Sequence, residues 1–211
     1  MNLKDIYPIL SSTDFTGPTG FSVVLPLVEQ DGELCILFEV RSAAISQGGE
    51  VCFPGGKIEP GETAWQAAVR EACEELLIAP SQLEILKPMP DAYSSRAAQI
   101  HCFIGLLHDY RNTFSKAEAE RVFLIPVERL LQMEPIAGTY QLNRQFDDTF
   151  PFALLPGGQA YPFRNRRETL WFYETEEAII WGLTAGILHH FLETLKAHKT
   201  VLDNKTYYPE D

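Results

Sequence analysis

The most constraining feature of the sequence is a glycine-rich turn followed by an acidic amphipathic helix, between Gly56 and Ile78. Glu71, Glu74 and Glu75 stand at i, i+3 and i+4, so a helix places their carboxylates on one face, within about a 100° arc. These like charges repel one another, and no lysine is interleaved between them. A divalent cation relieves the repulsion directly, because hard ions such as Mg²⁺ and Mn²⁺ prefer carboxylate oxygens. The pattern therefore predicts a metal-binding helix face.

The residues around this face support the same interpretation. The segment Phe53–Gly56 is predicted to form a tight turn, whose glycines let the backbone approach a ligand closely. Pro60–Thr63 is a second turn, which leads into the helix. Arg70 follows Glu62 by eight residues, about two helical turns, so an ion pair between them is expected to brace the turn against the helix. Apolar residues on the opposite face recur with helical spacing and are expected to pack inward: Trp65, Val69, Ala72 and Leu76.

On these residues the chain resembles the Nudix box, G-x5-E-x7-R-E-U-x-E-E-x-G-U, in which U is an apolar residue. The matching residues are Gly56, Glu62, Arg70, Glu71, Glu74, Glu75 and Ile78, with Ala72 at an apolar position. Leu77 stands where the family has the glycine that ends the helix, so the resemblance does not define the geometry of the helix end. Taken alone, the acidic cluster also suits the solvated face of a surface helix; the whole pattern favours the box.

The resemblance covers roughly residues 20–196 and implies an α/β fold, an α/β/α sandwich with a mixed β-sheet. It also implies hydrolysis of a nucleoside diphosphate linked to another group, with Mg²⁺ or Mn²⁺ as cofactor. Such ions neutralise charge that develops on the diphosphate and acidify a bound water. The implied metal ligands are Glu71, Glu74 and Glu75, with a backbone carbonyl of Gly55 or Gly56. The implied catalytic residues are these glutamates, Arg70 and Glu118, while Gly56, Glu62 and Arg70 also support the motif structurally.

The general base is left open between two acids. The segment Glu118–Val127 is similar to the family's E-V-x-x-V-F-x-[VI]-P-L. In many Nudix enzymes a glutamate from this region approaches the metals as ligand or as general base, and Glu118 is the aligned residue. Glu120 is the near alternative, and two solvated loop acids are an equally open interpretation.

The stretch upstream of the glycines indicates a substrate. It resembles the signature L-L-T-x-R-[SA]-x3-R-x3-G-x3-F-P-G-G of coenzyme A-type Nudix enzymes. The matching residues are Leu37, Arg41, Ser42, Gly49, Phe53, Pro54, Gly55 and Gly56. Ser46 replaces the second arginine, and its spacing to Gly49 is one residue short. The sequence IWGLTAGIL at Ile180–Leu188 also resembles this subfamily.

This second resemblance implies coenzyme A or acyl-CoA as the substrate, cleaved to 3′,5′-ADP and (acyl-)4′-phosphopantetheine. Arg41 is expected to contact phosphate, because a guanidinium presents a planar fork of donors. Ser42 and Phe53 complete the expected substrate-binding set. The alternatives are a Nudix pyrophosphatase for ADP-ribose, NADH or nucleoside triphosphates, and a catalytically silent Nudix domain that senses a ligand or binds a partner.

Composition limits the partners and the compartment. The net charge of −12 disfavours binding to a nucleic-acid polymer, because such proteins are usually basic. The four cysteines include no C-x-x-C pair, which predicts reduced thiols and no zinc site. No secretory signal and no run of ~20 apolar residues is found, which predicts a cytoplasmic protein without a membrane partner. A homodimer is an open alternative to a monomer.

The pattern along the chain predicts one domain over residues 1–211, with its core at about 20–196 and a loose tail over 200–211. Strands are predicted at 21–28, 33–41, within 81–89, 99–107 and 170–173, with a hairpin turn at 29–32, a polar loop at 90–97, a helical turn at 128–133 and few regular signals over 134–158. Helical spacing from Ile180 to Leu195 predicts a long closing helix. His101 is expected to be a packed or substrate-side histidine and not a metal ligand.

Overall fold

The computed structural model describes residues 20–94 and 98–206, with side chains described as far as residue 198. Predictions for residues 1–19, 95–97 and 207–211 lie outside these ranges. The strands are β1 Phe21–Gln30, β2 Glu33–Arg41, β3 Val51–Cys52, β4 Gly55–Lys57, β5 Leu83–Tyr93, β6 Gln99–Leu107, β7 Ala119–Pro126, β8 Ile136–Leu142, β9 Arg166–Glu174 and β10 Ile179–Trp181. The α-helices are α1 Ala64–Leu76, α2 Val127–Gln132 and α3 Gly182–Thr206.

A mixed sheet of seven strands forms the centre of the described fold. Its main path runs β3-β2-β1-β6-β5, with β4 paired to β1 and β7 paired to β2. β1 and β6 are parallel, and β1 and β2 form an antiparallel hairpin. The hairpin turn is Asp31-Gly32, whose φ angles of 53° and 81° are both positive, as a tight two-residue turn requires. Strands β8, β9 and β10 form a second, antiparallel sheet.

The central sheet is covered on both faces, which confirms the predicted α/β/α sandwich. On one face, α1 packs against apolar side chains of β1 and β2, including Val24 and Leu37. On the other face, α3 and the second sheet pack over Phe38 and its neighbours, through residues such as Tyr173 and Leu188. Successive residues of β2 alternate between these two layers, because side chains of a strand point to opposite faces.

Several predicted boundaries are wrong because pairing with neighbouring strands overrides the local sequence. β1 continues to Gln30, since residues 29 and 30 pair with 34 and 33 across the hairpin. β5 continues to Tyr93 through the predicted polar loop, because its residues pair with β6 as far as Gln99. β8 occupies part of the segment without regular signals and is held in place by β9.

The closing helix also differs from its prediction. Ile180 is buried on β10, and α3 begins at Gly182, whose φ of 65° marks the change from strand to helix. The helix continues to Thr206. None of the helices in the described ranges is long and apolar enough to cross a membrane.

The four cysteines are free thiols, as predicted, and two are strongly affected by burial. Burial raises the pKa of the Cys52 thiol to about 12 and that of Cys102 to about 11. His101 has polar neighbours, in contrast to the apolar packing suggested by its sequence: its Nδ1 lies 3.0 Å from Asp91 Oδ1. Asp91 Oδ2 also accepts a hydrogen bond from Gln99 Nε2 at 2.6 Å.

Candidate active site

Helix α1 is fixed at its beginning by a capping box. The Thr63 hydroxyl accepts the backbone N–H of Gln66 at 3.2 Å, and the Thr63 N–H donates to Gln66 Oε1 at 2.9 Å. Ser22 of β1 donates its hydroxyl to the Ala64 carbonyl at 2.7 Å, which attaches the first turn to the sheet. Ala68 and Ala72 are fully buried, and their small side chains let the helix lie close to the sheet. The acidic face is therefore set on a rigid element.

The expectation that Trp65 packs inward is wrong. Its side chain is 52% exposed, and the buried face of α1 runs through Ala68, Ala72 and Leu76. The first helical turn lies beside Ser22, near the beginning of β1.

Arg70 braces the preceding turn against the helix, as predicted. Its Nε donates to Glu62 Oε1 at 2.7 Å and its Nη2 to Glu62 Oε2 at 3.0 Å, a bidentate ion pair. Nη2 also donates to the Lys57 carbonyl at 3.1 Å. The hydrogen bonds from Arg70 lower the pKa of Glu62, so this acid remains ionised and structural.

The same arginine partly neutralises the acidic face. Arg70 Nη1 donates to Glu71 Oε1 at 2.9 Å and reaches Glu74 Oε2 at 3.4 Å. Glu71 is partly buried, and this burial raises the pKa of its carboxyl, while Glu74 is exposed. Arg70 is thus the counter-charge for two of the three predicted metal ligands.

Glu75 is the buried member of the three glutamates. Its side chain is 6% exposed, and Oε2 accepts the Gly55 N–H at 2.7 Å. Burial raises the pKa of Glu75, and the negative charge of Glu39 raises it further. The glycine segment that holds it is a strand, β4, and not the tight turn predicted, because Gly55 pairs with Val23 and Gly56 with Ser22 of β1.

At both glycines of β4, an added Cβ would lie too close to neighbouring atoms. A Cβ on Gly55 would lie 2.2 Å from the Ser22 carbonyl oxygen and 2.6 Å from Val23 Cα. A Cβ on Gly56 would lie 2.4 Å from the carboxylate carbon of Glu71. The glycine strand therefore gives the carboxylates of α1 direct access to its backbone, as a shared metal site requires.

The loop between β6 and β7 brings Glu118 to the same region. The Thr113 hydroxyl donates to the Leu76 carbonyl at 2.7 Å, and the Ser115 N–H donates to the Glu75 carbonyl at 2.6 Å, so the loop is fixed at the end of α1. The Glu118 carbonyl accepts the Ser42 N–H at 2.8 Å. Glu118 and Glu120 are both exposed. The charge of Glu118 raises the pKa of Glu39, and this interaction favours Glu118 as the acid that faces the site.

Of the three residues expected to bind substrate, Arg41 and Ser42 are partly exposed at the end of β2, whereas Phe53 is buried. Arg41 Nε donates to the Ser46 carbonyl at 3.1 Å, which folds the loop back over the guanidinium. The Ser42 hydroxyl accepts the Ala44 N–H at 3.3 Å in the same loop. The ring of Phe53 is 4% exposed and stacks on Phe38 in the core, with centroids 5.2 Å apart, so its expected contact with substrate stays a prediction.

Sequence reasoning missed one acid of the site, Glu39 of β2. Its side chain is 2% exposed, and burial raises the pKa of its carboxyl. Cys52 Sγ lies 4.0 Å from Oε2, while Oε1 has no hydrogen-bond partner among the described residues. The available signal was an acid within the otherwise apolar run ILFEV.

These residues fit a divalent cation by their chemistry. The available ligands are carboxylate and carbonyl oxygens, which hard cations prefer. Gly56 leaves room for the carboxylate of Glu71, and Oε1 of the buried Glu39 has no hydrogen-bond partner among the described residues. Among the side chains described, those of residues 20–94 and 98–198, no three His, Cys, Asp or Glu residues already converge as a metal cluster. Arg70 and the Gly55 N–H hold the three glutamates of α1 instead, so cation binding must replace some of these contacts.

Comparison with known proteins agrees with this geometry. The family profile of the NUDIX domain matches residues 18–150. The chain belongs to the Nudix family. Nudix hydrolases are pyrophosphohydrolases that act on small nucleotides and generally use divalent metal ions. The helix α1 and the glycine strand β4 are therefore the Nudix box of this enzyme.

Among its relatives, Nudix hydrolase 3 of Caenorhabditis elegans is 28% identical over 189 residues, which cover 87% of this chain and 76% of that protein. The peroxisomal coenzyme A diphosphatase NUDT7 of Mus musculus is 36% identical over 114 residues, 53% of this chain and 48% of that protein. The chain thus spans about half of the mouse protein. The solved NUDIX domain of Shewanella oneidensis NrtR, complexed with ADP ribose, matches with a TM-score of 0.46 and 22% identity, over 64% of this chain and 89% of that one.

Proposed function

We propose that this Nudix hydrolase cleaves the diphosphate of coenzyme A or acyl-CoA, which yields 3′,5′-ADP and (acyl-)4′-phosphopantetheine. The observation that carries the proposal is the junction between Ser42 and Glu118, whose backbone atoms are hydrogen-bonded at 2.8 Å. This bond joins the loop that resembles the coenzyme A signature to the segment of Glu118, the candidate general base. The similarity to the mouse coenzyme A diphosphatase over about half of the chain gives additional support.

The residues of the chain then have separate tasks. Glu71, Glu74 and Glu75, with a carbonyl of Gly55 or Gly56, would hold the divalent ion, which supplies neutralisation of phosphate charge and acidification of water when bound. The water oxygen attacks one phosphorus of the diphosphate, and the P–O bond to the bridging oxygen breaks. Glu118 takes the proton of that water on its carboxylate.

Two other groups act on the substrate and on the box. Arg41 contacts a phosphate of the substrate through its guanidinium donors. Arg70 keeps Glu62 and the turn before α1 in place, and it releases Glu71 and Glu74 to the cation. The task of Arg70 is supported by its hydrogen bonds to Glu62 and Glu71. The task of Arg41 is supported by its place in the segment that resembles the coenzyme A signature.

The proposal is tested by identifying products. The purified protein is incubated with Mg²⁺ or Mn²⁺ and separately with coenzyme A, acyl-CoA, ADP-ribose, NADH and dGTP, and the products are identified by mass. We expect release of 3′,5′-ADP from coenzyme A or acyl-CoA at the highest kcat/KM of the panel. A higher kcat/KM for another compound would refute the substrate assignment but keep the Nudix chemistry, and no cleavage at all would favour a silent binding domain.

A substitution in the loop tests the substrate assignment separately. Ser46 is exposed and stands where the signature has arginine, so Ser46→Arg restores a donor for phosphate. We expect a several-fold lower KM for coenzyme A and an unchanged KM for ADP-ribose, which lacks the 3′-phosphate. Ala44→Arg in the same loop is the matched control. Equal effects of Ser46→Arg on both substrates would contradict recognition of the 3′-phosphate by this loop.

A further inference from the structure

Glu39 occupies an interior position on the face of the sheet that α1 covers. It follows Leu37 by two residues on β2, and side chains two residues apart in a strand point to the same face. Leu37 packs in the cluster formed with α1, so Glu39 points toward the same helix. In register, it lies opposite Cys52 of β3 on one side and Val122 of β7 on the other.

Two acids and one arginine act electrostatically on the buried carboxyl of Glu39. The charges of Glu39 and Glu75 act on each other, and Glu118 acts on Glu39 as well, while Arg41 opposes them from the same strand. Glu75 in turn accepts its hydrogen bond from the Gly55 N–H. The Glu39 carboxyl therefore lies within electrostatic range of Glu75 in the Nudix box and of Glu118, the expected general base.

One oxygen of Glu39 is left without a partner. Oε1 is buried and makes no hydrogen bond to the described residues, and Oε2 has only the weak thiol donor of Cys52 at 4.0 Å. Burial of a carboxylate without partners is costly, so such a group calls for a compensating ligand. A cation would offset the negative charge of Glu39 and its neighbouring acids. Carboxylate oxygens bind hard divalent ions such as Mg²⁺ and Mn²⁺.

We propose that Glu39 is an additional metal ligand of this site, which reaches the divalent ion from the sheet through Oε1 while Glu75 reaches it from the helix. The assignment rests on the proposed metal-dependent hydrolysis. Glu39 lies outside the Nudix box, and the coenzyme A-type signature has threonine at this position. A rigid central strand suits the purpose, since it fixes the carboxylate more precisely than a loop does.

The test measures metal binding in the absence of substrate. Mn²⁺ is titrated by calorimetry into the wild type, Glu39→Gln and Glu39→Thr, and Glu33→Gln serves as the control, because Glu33 is an exposed acid on the same strand. We expect both substitutions of Glu39 to weaken Mn²⁺ binding about 10-fold or more, and Glu33→Gln to leave it within about twofold. The metal-free melting temperature of Glu39→Gln should equal or exceed that of the wild type.

The outcomes separate this assignment from the proposed function. Mn²⁺ affinity of both Glu39 variants equal to that of the wild type would overturn the assignment, whatever their activity. A wild type that binds Mn²⁺ but cleaves none of the substrate panel would refute the proposed function, while the binding comparison still decides the role of Glu39. Absence of Mn²⁺ binding by the wild type would overturn both. Should the amide variant fail to fold, the threonine variant supplies the same measurement.

Discussion

At the scale of single residues, the two adjacent glycines of β4 have different roles. An added Cβ at Gly55 would meet backbone atoms of Ser22 and Val23, which cannot move without a shift of β1. An added Cβ at Gly56 would meet the end of the Glu71 side chain, which can rotate away. The first glycine therefore serves the fold, and the second serves the position of a metal ligand.

This difference gives a paired prediction. Gly55→Ala should lower the free energy of unfolding by about 2 kcal/mol or more, as overpacking against backbone does. Gly56→Ala should change it by less than about 1 kcal/mol but weaken Mn²⁺ binding and lower kcat/KM about 10-fold, because Glu71 is displaced. Urea unfolding without metal and calorimetric titration measure the two effects. A larger loss of stability in Gly56→Ala than in Gly55→Ala would contradict these roles.

Sequence spacing predicted the residues of the box because a helix places i, i+3 and i+4 together whatever surrounds it. The brace between Glu62 and Arg70 was predicted from their spacing of eight residues, although Glu62 lies in the turn before the helix. The burial of Phe53 and of Glu39 was not predicted, since each depends on which face of a strand meets which layer. Phe53 lies beside the box glycines in sequence but turns into the core, whereas Glu39 interrupts an apolar run and turns toward α1.

At the scale of elements, α1 ends in the usual way without the usual glycine. Leu77 adopts the left-handed conformation, with φ 52° and ψ 47°, and its N–H donates to the Cys73 carbonyl. Ile78 also donates its N–H to Cys73, at 3.2 Å, and Thr113 caps the Leu76 carbonyl. These bonds compensate for the cost of the left-handed backbone, which is about 1–2 kcal/mol for a residue with a side chain.

Leu77→Gly should therefore stabilise the enzyme. The substitution relieves the backbone cost and loses little burial, because Leu77 is 60% exposed, while the greater freedom of glycine in the unfolded chain removes part of the gain. We expect a net increase of about 0.5–1 kcal/mol in the free energy of unfolding, measured in urea. Leu86→Gly is the control: Leu86 is 48% exposed on β5, and its substitution should destabilise by about the same amount. Destabilisation by Leu77→Gly would contradict the interpretation of the helix end.

Elements with a strong pattern of their own were predicted correctly, and short or polar ones were not. β2 and β6 were predicted at their observed bounds, because each is a mainly apolar run with clear limits. β3 and β4 have two and three residues and exist through pairing with β2 and β1. β8 is largely exposed, and its pairing with β9 holds it as a strand.

At the scale of the whole molecule, the sandwich could be predicted from the Nudix resemblance, while the second sheet of β8, β9 and β10 could not. The stability of the whole fold is affected by two acids enclosed between α1 and the central sheet. Glu75 and Glu39 are buried in that layer, and burial raises the pKa of both carboxyls above the ordinary value of 4.5. The metal-free fold therefore binds protons more tightly than the unfolded chain does.

The metal-free protein should lose stability as the pH rises. Protonated Glu39 and Glu75 contribute fully below pH 4.5, and the contribution declines as the pH rises from there through neutral, because the unfolded chain releases these protons first. Each group lowers the free energy of unfolding by up to about 1.4 kcal/mol per pH unit in that range. Urea unfolding in EDTA at pH 5, 6, 7 and 8 measures the slope. Glu75→Gln should reduce it, and a flat or rising profile for the wild type would contradict the burial of these acids.

The most direct test of the central claim, that the glutamates of α1 hold a catalytic divalent ion, is a comparison of the wild type with Glu75→Gln and Glu71→Gln in the presence of Mg²⁺ or Mn²⁺. The rate of diphosphate cleavage is measured on the best substrate of the panel, with exposed Glu29→Gln as the control. We predict a loss of about 100-fold or more in kcat/KM for both variants, with metal-free melting temperatures close to or above that of the wild type. Activity near the wild-type value in either variant would contradict the assignment of the metal site.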